Sequence, residues 1–134
     1  MSTRSIPIDP RTSAQPLAVA AVAVGLAVSA AIHGVLIGEH LREAWQFGAF
    51  FIASTVALAV LAVVVVVAPS RAVLVSVIVV GVAMIATWAL FRIVPPPFGE
   101  GVEEVDPVGL WCKAAEVVAV AGAIVLLRRR SRAG

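Results

Sequence analysis

The sequence predicts an all-α protein, an antiparallel bundle of four transmembrane helices with both termini in the cytoplasm. Of its 134 residues, 61% are hydrophobic and only 13% are charged, with a mean hydropathy of +1.06. Soluble domains carry about 25% charged residues. The apolar residues form four runs, each about as long as the 20 residues that a helix needs to cross a ~30 Å hydrocarbon core. Valine-rich stretches such as 63–67 favour strands in water, but these runs are too long and too unalternating for barrel strands.

The four runs define one transmembrane domain, residues 17–127, with helices at about 17–38, 47–68, 72–94 and 109–127. The segment 1–16 is predicted to be a disordered cytoplasmic tail, and 128–134 a basic cytoplasmic tail. Connections are short except for the outer loop at 95–108. The first run also resembles a signal peptide that would be cleaved near Ala30, but it continues through Ile37, which favours a retained helix.

Charge is distributed unevenly between the two ends of the predicted bundle. Arg4, Arg11, Arg71 and the "RRRSR" cluster at 128–132 lie at one end. Seven of the eight acidic residues lie at or near the other end: Glu39, Glu43, Glu100, Glu103, Glu104, Asp106 and Glu116. The positive-inside rule therefore places the basic end in the cytoplasm. Arginines that directly follow a spanning helix are typical of an anchor to anionic lipid, so we expect the bilayer as a partner and no nucleic acid.

The outer end of the first helix carries two histidines, in "AIHGVLIGEH" at residues 31–40. Ala30, Gly34 and Gly38 recur every four residues and predict a helix-packing seam, because small side chains let a second helix approach closely. His33 would then lie beside a helix contact and not in open lipid.

We predict a polar cluster in the outer half of the membrane, formed by His33, Arg92 and Glu116. Ionisable groups at such a depth are costly, so they indicate a functional site by default. A structural role stays open for each, since Arg92 can extend to the interface and Lys113 can pair with Glu116 three residues on. Secondary candidates are Glu39, His40 and Lys113.

Three tryptophans, Trp45, Trp88 and Trp111, lie toward the outer interface in the predicted topology. Amphipathic rings normally anchor helices at that level. We therefore predict an interfacial aromatic belt, with a binding cage as the alternative.

No cofactor, metal site or enzymatic activity is predicted. Both histidines lie on the first helix, seven residues apart, which is ~10.5 Å of helical rise. A transmembrane haem normally takes its histidines from facing helices, and a zinc-binding pair is spaced by one turn. One cysteine, Cys112, excludes an internal disulfide and a multi-cysteine metal site. No catalytic motif is present in the sequence.

The segments "AIHG", "EHLREAWQFGAFFIAS", "APSRA", "TWALFRIV" and "VDPVGLWCKAAEVV" resemble a group of small actinobacterial four-helix integral membrane proteins of unknown function. This resemblance covers nearly all of the chain after residue 16, and the chain departs from the group in "FRIVPPPFGE". The matching residues are His33, His40, Trp45, Gly48, Phe50, Phe51, Pro69, Ser70, Arg71, Trp88, Arg92, Asp106 and Glu116. The resemblance implies the same topology and the same polar residues, without supplying a mechanism.

Two functions fit these observations for a multi-pass protein of the cell membrane. We favour a structural or accessory subunit whose seam and polar cluster hold a partner helix or a second copy of the chain. The alternative is a ligand-binding or proton-coupled transport or sensing module that uses His33, Arg92 and Glu116.

Overall fold

The computed structural model describes residues 10–98 and 101–133, with side chains from residue 15 onward. Four helices follow one another: α1 (Pro10–Glu43), α2 (Trp45–Val67), α3 (Arg71–Leu90) and α4 (Pro107–Ser131). The described residues contain no strand. All four helices are long and apolar enough to cross a membrane, which confirms that part of the prediction.

The bounds of the helices differ from the predicted ones at several ends. Helix α1 begins at Pro10, inside the segment predicted as a disordered tail, and residues 1–9 of that segment lie outside the described residues. Proline is tolerated at a first helical position because its missing N–H has no intrahelical partner there. Helix α1 also continues past residue 38 to Glu43, and α4 continues through the arginines to Ser131. Polar residues with good helix propensity extend both helices beyond their apolar runs.

Helix α3 ends at Leu90, earlier than predicted. The amide of Arg92 donates to Ala89 O at 3.2 Å, and the amide of Ile93 donates to Leu90 O at 2.9 Å, which closes a tight turn. Pro95 follows shortly afterwards, and the residue before a proline is disfavoured in a helix.

Two of the helices begin at side-chain caps. The Ser70 hydroxyl accepts from the amide of Val73 at 3.2 Å at the start of α3. The Asp106 carboxylate accepts from the amide of Gly109 at 2.7 Å, ahead of Pro107 in the first turn of α4. Both caps satisfy an amide that has no partner within its helix.

Helix α1 packs against both α2 and α4, and α3 packs against α4, whereas α2 and α3 touch only slightly. The order of the helices around the bundle is therefore α2, α1, α4, α3. Contacts between α1 and α4 pair Val22 with Gly122 and Ser29 with Glu116. Because residue numbers rise along α1 while those of the contacting residues on α4 fall, these two helices run in opposite directions.

The two ends of the bundle differ in what fills them. We call the end with Arg71 and the arginines at 128–130 the basic end, and the end with the 91–106 connection the acidic end. A continuous apolar core fills the basic half: Val22, Leu26, Leu58, Val65, Leu74, Val77, Ala119, Ala123 and Leu126. Large apolar side chains also cover the outer surface, for example Val35 at 83% exposure and Val67 at 78%. Such a surface is costly in water and suits contact with lipid.

Candidate functional site

Four buried polar residues meet between α1 and α4, toward the acidic end of the bundle. Ser29 and His33 lie one turn apart on α1, and Cys112 and Glu116 lie one turn apart on α4. Since residues four apart share one face of a helix, each helix presents two polar groups to the other. We call these four residues the polar floor, because two of them, His33 and Cys112, line the bottom of the cavity described below.

The polar floor is joined by a hydrogen bond across the two helices. The Ser29 hydroxyl donates to Oε1 of Glu116 at 2.9 Å. The Cys112 thiol lies beside the same carboxylate oxygen, with Sγ 3.5 Å from Oε1. Sγ also lies 3.4 Å from the Ser29 hydroxyl and 3.6 Å from Nδ1 of His33. The four side chains therefore form one connected network.

His33 is oriented by its own helix. Nδ1 lies 2.9 Å from the carbonyl oxygen of Ser29 and donates to it, which places the proton on Nδ1. A neutral imidazole with this tautomer leaves Nε2 with a free lone pair. The ring also packs against Phe51 of α2, with 5.1 Å between the ring centroids. His33 can therefore accept a proton at Nε2, while Nδ1 is the nitrogen that faces the Cys112 sulfur.

Glu116 is 1% exposed, and an ionised carboxylate at such a depth requires a partner. Lys113 provides it from one turn earlier on α4, with Nζ 2.6 Å from Oε2 of Glu116. Oε2 is thus held by Lys113, and Oε1 faces Ser29 and Cys112. The two oxygens of one carboxylate have different surroundings.

A cavity of about 410 Å³ rises from the polar floor to the acidic end of the bundle. All four helices line it, as does part of the 91–106 connection. Aromatic rings form much of the wall, including Phe47, Phe51 and Phe91. We call the carboxylates that line it nearest the acidic end the acidic mouth: Glu39, Glu43, Glu103, Glu104 and Asp106.

The structure brings His33 and Glu116 together, but it places Arg92 in a different set of contacts. The Arg92 guanidinium lies over the ring of Trp88, with Cζ 4.1 Å from the ring centroid. It donates to the carbonyls of Trp88 at 3.2 Å and Glu104 at 2.9 Å, and lies 3.7 Å from Oδ2 of Asp106. Partial burial lowers the pKa of Arg92 from its usual value, and Glu103 and Asp106 oppose that shift. Arg92 therefore ties the 91–106 connection to the end of α3.

The secondary candidates lie around the cavity wall. His40 stacks on Phe51 with 3.7 Å between ring centroids, and its Nδ1 donates to the carbonyl of Leu36 at 3.0 Å. Glu39 is exposed and lines the cavity. Lys113 lines it too, beside the polar floor.

The three tryptophans occupy two different environments. Trp45 and Trp111 are exposed on the outer surface, at 70% and 73%. Trp88 instead lines the cavity beneath Arg92. Only the first two have the exposure that an interfacial belt requires.

The three residues of the predicted seam have different surroundings. Ala30 is buried, Gly34 faces Thr55 of α2, and Gly38 is exposed. The closest backbone approach to α4 is found at Gly25, where an added Cβ would lie 2.6 Å from the carbonyl oxygen of Ala115. Gly25 was not part of the predicted seam, and it is a close contact between α1 and α4 nearer the basic end.

Sequence reasoning missed Ser29 and Cys112 as members of the site. The signal was their spacing, because Ser29 stands four residues before His33 and Cys112 stands four residues before Glu116. The prediction of no metal site was based on the spacing of the two histidines along the first helix. Among the described residues, the structure brings together a different donor set, His33, Cys112 and Glu116, with one ligand atom of each within 4.8 Å of the others.

Comparison with known proteins gives no match: no family model, no curated protein and no solved structure corresponds to this chain.

Proposed function

We propose that this chain is a multi-pass protein of the cell membrane that binds a small cation from the outer side, in the cavity above the polar floor. The observation that carries this proposal is the cavity itself, which leads from an acidic mouth to buried cation-binding groups. A structural or accessory subunit needs no such cavity. The geometry therefore favours the ligand-binding alternative.

The orientation of the bundle in the membrane rests on charge. Arg71 and the arginines at 128–130 mark the basic end, and cytoplasmic ends of membrane proteins carry an excess of such residues. With four antiparallel spans, both termini would lie in the cytoplasm and the cavity would open to the outside. The resemblance to small actinobacterial four-helix membrane proteins supports the same topology.

A cation fits the cavity better than an anion does. Five carboxylates line its outer part, and a cleft with charges of one sign raises the local concentration of the opposite ion. The two basic residues nearest the path have partners, although Nε of Arg92 is buried without one. Arg92 lies on Trp88 and bonds Glu104, and Lys113 is paired with Glu116.

The apolar core limits the path of the bound ion. Among the described residues, the buried side chains of the basic half are apolar, and Leu26, Leu58 and Leu74 are fully buried there. An unsatisfied ion in such surroundings is strongly disfavoured. In this conformation, the cation would enter and leave through the acidic mouth.

The single cysteine of the chain provides a direct test, because Cys112 lines the bottom of the cavity. Sealed right-side-out vesicles are treated with a cationic or an anionic methanethiosulfonate of similar size. The cationic reagent should label Cys112, and the anionic one should label it at least about tenfold more slowly, because the acidic mouth repels it. The Cys112→Ser variant gives the background.

Two further variants show whether the reagent passes through the cavity. Thr87→Trp should block labelling, since Thr87 lines the cavity. Ala86→Trp is the matched control, because Ala86 lies next to it on α3 and is exposed on the outer surface. Equal labelling by both reagents, or none by either, would contradict the proposal.

A further inference from the structure

We propose that His33, Cys112 and Glu116 bind a divalent transition-metal ion of the zinc type at the polar floor. This inference rests on the proposed function, since it names the cation that the cavity admits. It identifies the three ligands and leaves one coordination position open toward the cavity.

The spacing of the donor atoms fits this ion. In a tetrahedral zinc site, with bonds of about 2.0–2.3 Å, neighbouring ligand atoms lie about 3.3–3.7 Å apart. Sγ of Cys112 and Oε1 of Glu116 are already 3.5 Å apart. One ligand atom from each of the three residues lies within 4.8 Å of the others. The His33 nitrogen nearest the sulfur is Nδ1, 3.6 Å from Sγ of Cys112, so Nδ1 is the nitrogen that would bind the metal.

The chemistry of the donors selects the class of metal. One sulfur, one imidazole nitrogen and one carboxylate oxygen form the mixed set that zinc accepts. Calcium and magnesium prefer six or more oxygen ligands, and this site offers only one carboxylate. Three protein ligands with an open fourth position are typical of zinc sites that exchange a water or another ligand.

The surroundings of the ligands also fit. Without metal, Nδ1 of His33 donates to the carbonyl of Ser29. Metal binding would replace this hydrogen bond, and the ring proton would then be on Nε2. Lys113 holds Oε2 of Glu116, and Oε1 accepts from the Ser29 hydroxyl and the Cys112 thiol. Loss of the thiol proton would free a lone pair of Oε1 for the metal. The Ser29 hydroxyl, which donates to that oxygen without the metal, remains beside it as an outer partner.

Metal binding adds one net positive charge to the polar floor. The thiol of Cys112 loses its proton to water in the cavity, and the thiolate and the Glu116 carboxylate together neutralise the two charges of the ion. The positive charge of Lys113 then has no separate counter-ion in the polar floor. The acidic mouth supplies negative charge at longer range.

The test uses the purified full chain in mild detergent with Co²⁺ as the probe, because a thiolate bound to Co²⁺ gives a charge-transfer absorption band in the near ultraviolet. We expect a band that saturates near one equivalent and disappears when Zn²⁺ is added. The band should be absent in Cys112→Ser. In His33→Ala and Glu116→Gln, the affinity should fall by more than about 100-fold, the upper end of the losses seen for outer partners. Ser76→Ala is the control, because Ser76 is exposed on α3 and does not line the cavity, and the band should persist.

A second measurement keeps the inference falsifiable if a variant does not fold. In the unmodified chain, Zn²⁺ should slow the reaction of Cys112 with the cationic methanethiosulfonate at least about tenfold, whereas Mg²⁺ should not. If Cys112 reacts readily and equally fast with and without Zn²⁺, the metal site is wrong and the cation-binding cavity stands. If Cys112 does not react with the reagent even without metal, the proposed cavity function fails as well.

Discussion

The Ser29 hydroxyl donates to the buried Glu116 carboxylate at 2.9 Å. This hydrogen bond joins α1 to α4 through two residues that are 87 positions apart in the sequence. Ser29 is fully buried and Glu116 is 1% exposed, so water does not replace either partner. A hydrogen bond to a charged group in such surroundings is among the stronger ones in proteins.

Replacing Ser29 by alanine should destabilise the bundle by about 1–3 kcal/mol, because Oε1 of Glu116 loses its donor in a buried site. SDS-induced unfolding in mixed micelles, followed by circular dichroism, measures the loss. Ser76→Ala on α3 is the control, since Ser76 is exposed. Equal stability of the two variants would mean that the Ser29 bond contributes nothing to the fold.

Replacing Lys113 by methionine should cost roughly 3–5 kcal/mol, because the Glu116 carboxylate is left buried without its counter-ion. The double variant Lys113→Met with Glu116→Met should recover most of that loss, since no unpaired charge remains. The same unfolding assay applied to both single variants and the double variant gives the coupling between them. If the losses of unfolding free energy in the two single variants add up to the loss in the double variant, the two residues do not form an ion pair in the membrane.

Replacing Gly25 by valine should destabilise the bundle by at least about 1–3 kcal/mol, because the new side chain would collide with the backbone of α4. An added Cβ would lie 2.6 Å from the carbonyl of Ala115 and 3.2 Å from the Cβ of Ala119. At Gly38 an added Cβ meets only the end of Arg42, at 3.8 Å, so Gly38→Val should unfold like the unmodified chain. The reverse order of stability would place the close helix contact at the predicted seam after all.

Single cysteines placed in the Cys112→Ser background should report the orientation of the bundle. Gly101→Cys should react with an impermeant maleimide added outside sealed right-side-out vesicles, because residue 101 is exposed at the acidic end. Ala133→Cys, exposed beyond α4 at the basic end, should react only after the vesicles are opened. Labelling of Ala133→Cys from outside would reverse the orientation and place the cavity on the cytoplasmic side.

The existence of four helices could be read from the sequence, but several of their ends could not. Long apolar runs predict spans because lipid requires every backbone group to be paired within the segment. Hydrophobicity does not mark where a helix stops, so the polar turn through His40 and Glu43 was missed as part of α1. The tight turn at Arg92 and Ile93 was likewise predicted as helix.

From the sequence, the depth of each site residue along its helix could be predicted, but its neighbours on other helices could not. Counting turns placed His33 and Glu116 at similar levels, and the structure has both in one network with Ser29 between them. Depth does not give rotation about the helix axis, which decides which neighbour a side chain faces. Spacing places Cys112 on the same face of α4 as Glu116, but it does not give the helix that this face meets. For the same reason spacing does not show that Arg92 turns toward Trp88 and Glu104.

The slight contact between α2 and α3 makes the bundle resemble a horseshoe more than a closed ring. Separating these two helices breaks few contacts, whereas α1 and α4 are held together by the hydrogen bond from Ser29 to Glu116 and by the close approach at Gly25. The width of the molecule can therefore change on one side without displacing the polar floor. A pair of spin labels on the outer faces of α2 and α3 would record this change in separation as a broad distance distribution. A pair on α1 and α4 would give a narrow distribution.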